Sequence, residues 1–194
     1  MQNKGVHTEV TIAGFGGQGI MLAGKLLALA GLEEGREVVW MPSYGPEMRG
    51  GTAYCNVVVS DKAIGSPIFA NPNTALIMNK PSLLKFGPQV KSGGQLIIND
   101  SLIDEEFKRD DIEIFNVSCN DLAVDAGSTK AANMVALGAY VNMTAVVNIE
   151  TVISLIKKTF EKKPKLIDIN ITAFESGVMA INKQKVGLLD RCLD

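Results

Sequence analysis

A glycine-rich turn between a short apolar strand and a long apolar helix limits the folds open to this chain more than any other feature. The turn is Gly14-Phe15-Gly16-Gly17-Gln18-Gly19, with a β-branched run at residues 9–13 before it and a helix-like run at residues 20–32 after it. Strand, glycine turn and helix in this order direct backbone N–H groups and a positive helix end toward one spot. This arrangement predicts a binding site for a nucleotide, another ligand or a partner protein.

Strand-like and helix-like segments alternate along the rest of the chain. Strands are predicted at residues 37–41, 52–60, 74–78, 95–98 and 111–117, and helices at residues 81–86, 121–126, 131–147, 151–162 and 166–182. This alternation indicates right-handed crossovers. We therefore predict a single α/β domain over residues 1–182, a Rossmann-like three-layer fold with a mostly parallel sheet and helices on both faces. Residues 183–194 are predicted to form a C-terminal tail, either loose or an arm that reaches a partner.

One helical segment is long and uncharged. Residues 131–149 contain no charged side chain and are numerous enough to span a bilayer. The segment also contains Asn133, Asn142, Thr144 and Asn148, and its flanks are not typical of a membrane protein. We expect a helix buried inside the domain or at a subunit contact, and no membrane association.

Charge and hydropathy narrow the classes of partner. The formal net charge is −2 and the only basic clusters are at residues 157–158 and 162–163, which argues against nucleic acid. The mean hydropathy of +0.16 has two explanations, a well-filled core or apolar surface covered by a partner. Residues 1–9 are polar and lack the apolar core of a signal peptide, so a cytoplasmic location is expected.

The residues that usually carry metals or catalysis are sparse. Cys55, Cys119 and Cys192 lie far apart with no CxxC, so the chain alone is expected to hold neither an iron–sulfur cluster nor another metal. An odd number of cysteines without a disulfide pattern fits a reducing cytoplasm, and we expect these cysteines to be buried free thiols. The single histidine, His7, lies in the polar N-terminal lead and is expected at the surface. No catalytic residue is predicted.

The glycine turn matches G-x-G-x-x-G through Gly14, Gly16 and Gly19. A dinucleotide site also needs an acidic residue at the end of the second strand, and residues 39–42 read Val-Trp-Met-Pro. This absence disfavours NAD(P), and no Gly-Lys-Ser/Thr follows to make a phosphate-binding loop. Two interpretations stay open: a tight turn that allows close packing, or contact with an anion or cofactor.

A second loop follows the second strand. Tyr44-Gly45-Pro46-Glu47-Met48-Arg49-Gly50-Gly51 lies in a stretch, residues 42–51, whose prolines and glycines predict a shaped loop. Because loops at the carboxyl ends of neighbouring strands meet at one edge of a sheet, we expect both loops to line one crevice. Arg49 has the guanidinium geometry to bind a phosphate or carboxylate. The alternative is an internal contact between Glu47 and Arg49 that stiffens the loop.

The two loops together resemble the gamma subunit of the 2-oxoacid:ferredoxin oxidoreductases. The resemblance covers residues 10–177 and includes the spacing of the loops, Ile64-Gly65-Ser66-Pro67, Asn79-Lys80-Pro81-Ser82, Gly93-Gly94 and the helix that begins at Asn133. Within the family, the Pro-Ser-Tyr-Gly-Pro-Glu-Met-Arg-Gly-Gly form is most similar to the gamma chain of 2-oxoglutarate:ferredoxin oxidoreductase, also called 2-oxoglutarate synthase. Pyruvate-type and branched-chain or aryl-pyruvate enzymes stay open.

The resemblance implies a chain that is inactive alone and works inside a heteromeric enzyme. Such an enzyme decarboxylates a 2-oxoacid oxidatively, forms its coenzyme A ester and passes electrons to ferredoxin. Thiamine diphosphate and magnesium are then held by alpha and beta subunits, and iron–sulfur clusters by beta or a ferredoxin-like delta subunit. When these partners are absent, the apolar helices lead us to expect a homodimer.

The resemblance also directs attention to a set of crevice residues that contact coenzyme A or partner chains. These residues are Gly16, Gly17, Gln18, Gly19, Tyr44, Glu47, Arg49, Gly50 and Gly51. The alternative function is an independent Rossmann-type nucleotide-binding protein. That alternative predicts a nucleotide retained by the isolated chain.

Overall fold

The computed structural model describes residues 5–44 and 52–191, with the backbone alone described at Tyr44 and beyond residue 185. The predicted alternation of strands and helices is confirmed over these residues. The elements are β1 (His7–Phe15), α1 (Ile20–Glu33), β2 (Glu37–Tyr44), β3 (Thr52–Ser60), β4 (Thr74–Ile77), α2 (Lys80–Phe86), β5 (Gln95–Asn99), β6 (Glu113–Val117), α3 (Cys119–Asp125), α4 (Ala132–Thr144), α5 (Ile149–Thr159) and α6 (Pro164–Arg191).

The strands form one six-stranded sheet in the order β2-β3-β1-β4-β5-β6. Strands β1, β4, β5 and β6 pair in parallel. Strand β3 is antiparallel to both β1 and β2, so β2 runs in the same direction as β1. The mostly parallel sheet predicted from the alternation is confirmed, with β3 as its one reversed strand among the described residues.

Strand β2 is longer than its sequence pattern predicts. Residues 42–44 were expected to begin a loop, but the strand continues through Tyr44, with Pro42 opposite Cys55 of β3. The prediction was wrong here because β2 is an edge strand. Proline is accepted at such an edge, where one side of the strand has no neighbour to bond.

The two faces of the sheet carry different layers. Helices α1, α3, α4, α5 and α6 pack on one face, together with inward side chains such as Ile12, Val57 and Leu76. Helix α2 packs on the other face through Leu83 and Phe86. Three layers with helices on both faces are therefore confirmed.

Helix α1 ends in a glycine turn at Gly35. Gly35 has φ 75°, its N–H donates to the Leu32 carbonyl oxygen at 3.0 Å, and the Arg36 N–H donates to that of Gly31 at 3.0 Å. These two bonds satisfy carbonyl groups at the helix end in the Schellman arrangement. The turn leads directly into edge strand β2.

Helix α4 lies at the centre of the helical layer and is buried along nearly its whole length. It crosses α6 through two glycines, because a Cβ atom at Gly138 would overlap the Phe174 carbonyl and one at Gly177 would overlap the Val135 carbonyl. The prediction of a helix buried inside the domain is confirmed. In the part of the chain that the structure describes, no helix has the length and apolarity needed to cross a membrane.

Helix α6 extends beyond the predicted end of the domain. It continues through Arg191, and Gln184 donates to the Asn116 carbonyl oxygen of β6. Residues 183–191 thus continue the helix, and Gln184 bonds the first part of this stretch to strand β6 at the sheet edge. An arm that reaches a partner stays a prediction.

Candidate functional site

The carboxyl edge of the sheet brings the glycine loop beside the ends of the second loop. Phe15, the last residue of β1, pairs with Thr52, and Tyr44, the last residue of β2, pairs with Ala53. The residues that flank the second loop therefore lie next to the glycine loop at one edge. The Tyr44 side chain and Glu47, Arg49, Gly50 and Gly51 lie outside what the structure describes.

The glycine loop is a tight turn stabilised from within. Its Gly17 and Gly19 have φ values of 99° and 75°, a region that favours glycine. The Gln18 N–H donates to the Phe15 carbonyl oxygen at 3.2 Å. Gly17 is exposed and has open space around it, so its backbone is accessible at the surface.

The side chain of Gln18 points into the protein. Its Oε1 accepts the Phe15 N–H at 2.6 Å, and its Nε2 donates to the Met78 carbonyl oxygen at 3.2 Å. Met78 directly follows β4, so one amide joins the carboxyl ends of β1 and β4. A Cβ atom at Gly14 would lie 2.5 Å from Gln18 Oε1, which explains the glycine there.

Asn133 is a site residue that sequence reasoning did not select. This residue of α4 is 3% exposed, and its Nδ2 donates to the Gly19 carbonyl oxygen at 3.1 Å. A Cβ atom at Gly19 would lie 2.5 Å from the same Nδ2. The sequence signal that could have found it is an asparagine in an apolar helix that is expected to be buried, because a buried amide needs a hydrogen-bond partner.

Beside the loop lies a cleft of about 360 Å³. Its walls combine loop backbone with apolar side chains, and they comprise Phe15, Gly16, Gly17, Gly19, Ile20, Met21, Leu22 and Ala53. Backbone groups beside apolar walls are typical of a site for an extended, mostly apolar part of a ligand. A larger cavity of about 490 Å³ lies at the opposite edge, near His7, Lys91 and Thr144, and the glycine loop takes no part in it. We place the candidate site at the loop because backbone geometry is specialised there.

Two asparagines that lie at or just after the ends of strands cap helices. Asn79 Oδ1 accepts the Ser82 N–H at 2.9 Å and caps α2. Asn99 Oδ1 accepts the Cys119 N–H at 3.1 Å, so it caps α3 instead of the turn that directly follows β5. Both asparagines are buried and their side-chain oxygens are occupied by these bonds.

A family model described as Pyruvate ferredoxin/flavodoxin oxidoreductase matches residues 9–180. The chain belongs to this family. The match covers every strand and nearly all of the helical layer. The glycine loop, the cleft and Asn133 all lie within it.

Relatives in the family differ in what their names say they act on. The Ketoisovalerate oxidoreductase subunit VorA of Methanothermobacter marburgensis is 38% identical over 172 residues, which cover 88% of this chain but 36% of that protein. The 2-oxoglutarate synthase subunit KorC of the same organism is 36% identical over 179 residues, covering 89% of this chain and 95% of that protein. This chain thus spans about a third of the ketoisovalerate relative.

A solved structure has the same fold. It is a keto/oxoacid ferredoxin oxidoreductase gamma subunit from Geobacter sulfurreducens PCA, 30% identical, with a TM-score of 0.76. The match covers 91% of this chain and 99% of that one. The resemblance inferred from the two loops is confirmed.

The described cysteines do not fit an iron–sulfur cluster. Cys55 and Cys119 are both fully buried, one in β3 and the other at the start of α3. Burial raises the pKa of Cys55 to about 12 and raises the pKa of Cys119 further, so both thiols stay protonated at neutral pH. Cluster ligands converge on one site, whereas β3, which carries Cys55, and β6, which directly precedes Cys119, are separated by three other strands of the sheet.

The sheet order also bears on the nucleotide alternative. In a dinucleotide-binding fold, the acidic residue that binds the ribose ends a strand directly beside β1. Here β3 separates β2 from β1, so the end of β2 lies two strands away. The missing acid after the second strand and this strand order together give the independent nucleotide-binding alternative no support.

Proposed function

We propose that this chain is the gamma subunit of a 2-oxoacid:ferredoxin oxidoreductase, and specifically of a 2-oxoglutarate synthase. The family match over residues 9–180 carries the first part of the proposal. The second part is supported by the Pro-Ser-Tyr-Gly-Pro-Glu-Met-Arg-Gly-Gly form of residues 42–51 and by the likeness to a 2-oxoglutarate synthase subunit. The ketoisovalerate relative makes that 2-oxoacid the main rival substrate.

In this proposal the chain is inactive alone and acts within a cytoplasmic complex. Alpha and beta subunits hold thiamine diphosphate and magnesium, and beta or a delta subunit holds the iron–sulfur clusters from which ferredoxin takes electrons. The buried and widely separated positions of Cys55 and Cys119 agree with a division of labour in which other chains bind the clusters. A homodimer forms when those subunits are missing.

The glycine-loop cleft is the proposed contribution of this chain to the reaction. Gly16, Gly17 and Gly19 supply backbone to one wall of a cleft whose other wall is apolar. Coenzyme A has a long arm in which amide groups alternate with apolar segments, which suits a cleft of backbone and apolar side chains, and phosphates that suit an arginine. We assign Tyr44, Glu47, Arg49, Gly50 and Gly51 to the same crevice because the ends of their loop lie beside Phe15 and Ala53.

Co-expression with the neighbouring genes tests the function. The purified complex should reduce a viologen dye with 2-oxoglutarate in a reaction that needs coenzyme A, and more slowly with pyruvate and ketoisovalerate. A preparation that omits this chain should lose the activity that depends on coenzyme A. Preference for ketoisovalerate would reassign the substrate, and full activity without this chain would contradict the proposed role.

Substitution of Arg49 tests the coenzyme A contact. Arg49→Ala should raise the KM for coenzyme A by about tenfold or more, because a charge-assisted contact is lost. Arg49→Lys is the matched variant, since it keeps the charge but not the two-pronged guanidinium, and an intermediate KM is expected. An unchanged KM in both variants would show that Arg49 does not bind coenzyme A.

A further inference from the structure

At the place where ligands usually bind in an open α/β sheet, a side chain of this protein joins two neighbouring strands. Such ligands bind at the carboxyl ends of the strands, where the strand order reverses. In this sheet the reversal lies between β1 and β4, because the chain leaves β1 toward β2 and β3 on one side and reaches β4 on the other. The Gln18 amide spans this gap, from the Phe15 N–H to the Met78 carbonyl oxygen.

A second amide holds the other end of the loop. Asn133 Nδ2 donates to the Gly19 carbonyl oxygen at 3.1 Å, and Asn133 is 3% exposed. Gln18 thus ties the loop to β4, and Asn133 ties it to α4. The Asn133 side chain is buried, so its amide is costly to leave without a partner, whereas the two Gln18 bonds are more exposed. A shift of the loop would lose at least one of these three bonds.

We propose that Gln18 and Asn133 are positioning residues, an amide pair that fixes the glycine loop so that Gly16 and Gly17 face the cleft. This inference rests on the proposed function and revises one part of it. Gln18 acts through the loop, because its amide oxygen and its amide nitrogen each bond to backbone within the protein. Asn133 joins the site although it is 114 residues from Gly19 in sequence.

Charge-changing variants of nearly unchanged shape test the amide pair. Gln18→Glu keeps an acceptor for the Phe15 N–H but places a carboxylate oxygen against the Met78 carbonyl, and Asn133→Asp does the same against the Gly19 carbonyl. Asn142→Asp is the matched control. Asn142 also lies on α4 and donates to a carbonyl, that of Val178 at 2.9 Å, but it faces α6 instead of the loop.

Each variant is assembled with its partner subunits and assayed for coenzyme A and 2-oxoacid kinetics. We expect the KM for coenzyme A to rise about tenfold in Gln18→Glu and Asn133→Asp, with kcat within about twofold of wild type. Deuterium uptake across residues 14–20 should rise in the same two variants. The control should change neither quantity. Gln18→Met, which has no amide, replaces Gln18→Glu if that variant does not assemble.

The outcomes separate this inference from the proposed function. An active wild-type complex whose KM for coenzyme A is unchanged in both variants overturns the role of the amide pair, even if deuterium uptake rises. A fall in kcat alone overturns it as well, because a loop that positions coenzyme A affects its KM. A wild-type complex with no coenzyme A dependence overturns the proposed function itself.

Discussion

Two pairs of glycines in this domain both allow close approach of neighbouring atoms, but the neighbours differ. At the α4–α6 crossing, Cβ atoms at Gly138 and Gly177 would overlap backbone carbonyl groups. At the glycine loop, Cβ atoms at Gly14 and Gly19 would lie 2.5 Å from the side-chain amides of Gln18 and Asn133. Helix backbones cannot move aside without repacking the core, whereas an amide side chain can rotate or be replaced.

The difference distinguishes the glycines that stabilise the whole domain from the glycines that shape the candidate site. The crossing fixes α4 inside the helical layer, and α4 in turn presents Asn133 to the loop. Substitutions at the crossing should therefore act on the stability of the whole domain. Substitutions at the loop should act on local geometry, and through it on the cleft beside Phe15 and Gly17.

The largest effect is expected at the crossing. Gly138→Ala or Gly177→Ala should lower the free energy of unfolding by about 3 kcal/mol or more, because the added methyl group overlaps backbone in a packed core. Urea denaturation measures this. Gly65→Ala is the control, since Gly65 has no atom within 4 Å of a built Cβ. A Gly138→Ala variant as stable as Gly65→Ala would contradict the close crossing.

A smaller effect is expected at Gly14, and a second substitution should remove part of it. Gly14→Ala should cost about 1–3 kcal/mol of stability, because its methyl group meets Gln18 Oε1. Adding Gln18→Ala removes that partner, so the double variant should lose about 1 kcal/mol less than the sum of the single variants. Urea denaturation of all four proteins gives this coupling. Strict additivity would mean that the remaining contacts of the methyl group, with Ile20 and Met78, decide the cost.

A third glycine contact involves a group that titrates. Gly24 packs against Cys55, whose pKa burial raises to about 12, while an unfolded thiol titrates near 8.5. Because the folded pKa is raised, the contribution of Cys55 to stability is complete below about pH 8.5 and is lost as the pH rises toward 12. Between pH 7.5 and 10, wild type should lose about 2 kcal/mol more than Cys55→Ala. Equal losses in urea denaturation would mean that Cys55 is not buried as described.

Much of the fold follows from local sequence signals. The strand predicted from the alternation at residues 52–60 matches β3 residue for residue, and Gly35 lies at the end of α1, where a helix-stop signal is expected. The extension of β2 through Pro42 does not follow, because the sequence does not show that β2 lies at the sheet edge. The reversed direction of β3 is likewise a property of strand pairing, which no local pattern encodes.

The position of the candidate site in the fold was predictable, but its contacts were not. The glycine loop lies between β1 and α1 at the carboxyl edge of the sheet, as its place after a predicted strand indicates. The partner of Gln18 depends on the register between β1 and β4, and the partner of Gly19 comes from a helix 114 residues away. Such long-range pairs are set by tertiary packing, so a buried asparagine was the only local sign of them.

Gly17 and Gly35 provide the most direct test that the glycine loop is the site. Both have positive φ values, 99° and 75°, and neither has an atom within 4 Å of a built Cβ. Gly17→Ala and Gly35→Ala should therefore lower the stability of the chain by similar amounts, about 1–2 kcal/mol each. Only Gly17 faces the cleft.

The decisive measurement is the KM for coenzyme A of the assembled complex with each of these two variants. We expect a KM several times that of wild type with Gly17→Ala and a wild-type KM with Gly35→Ala, at equal cost in stability. Equal KM values in the two complexes would contradict a coenzyme A site at the glycine loop.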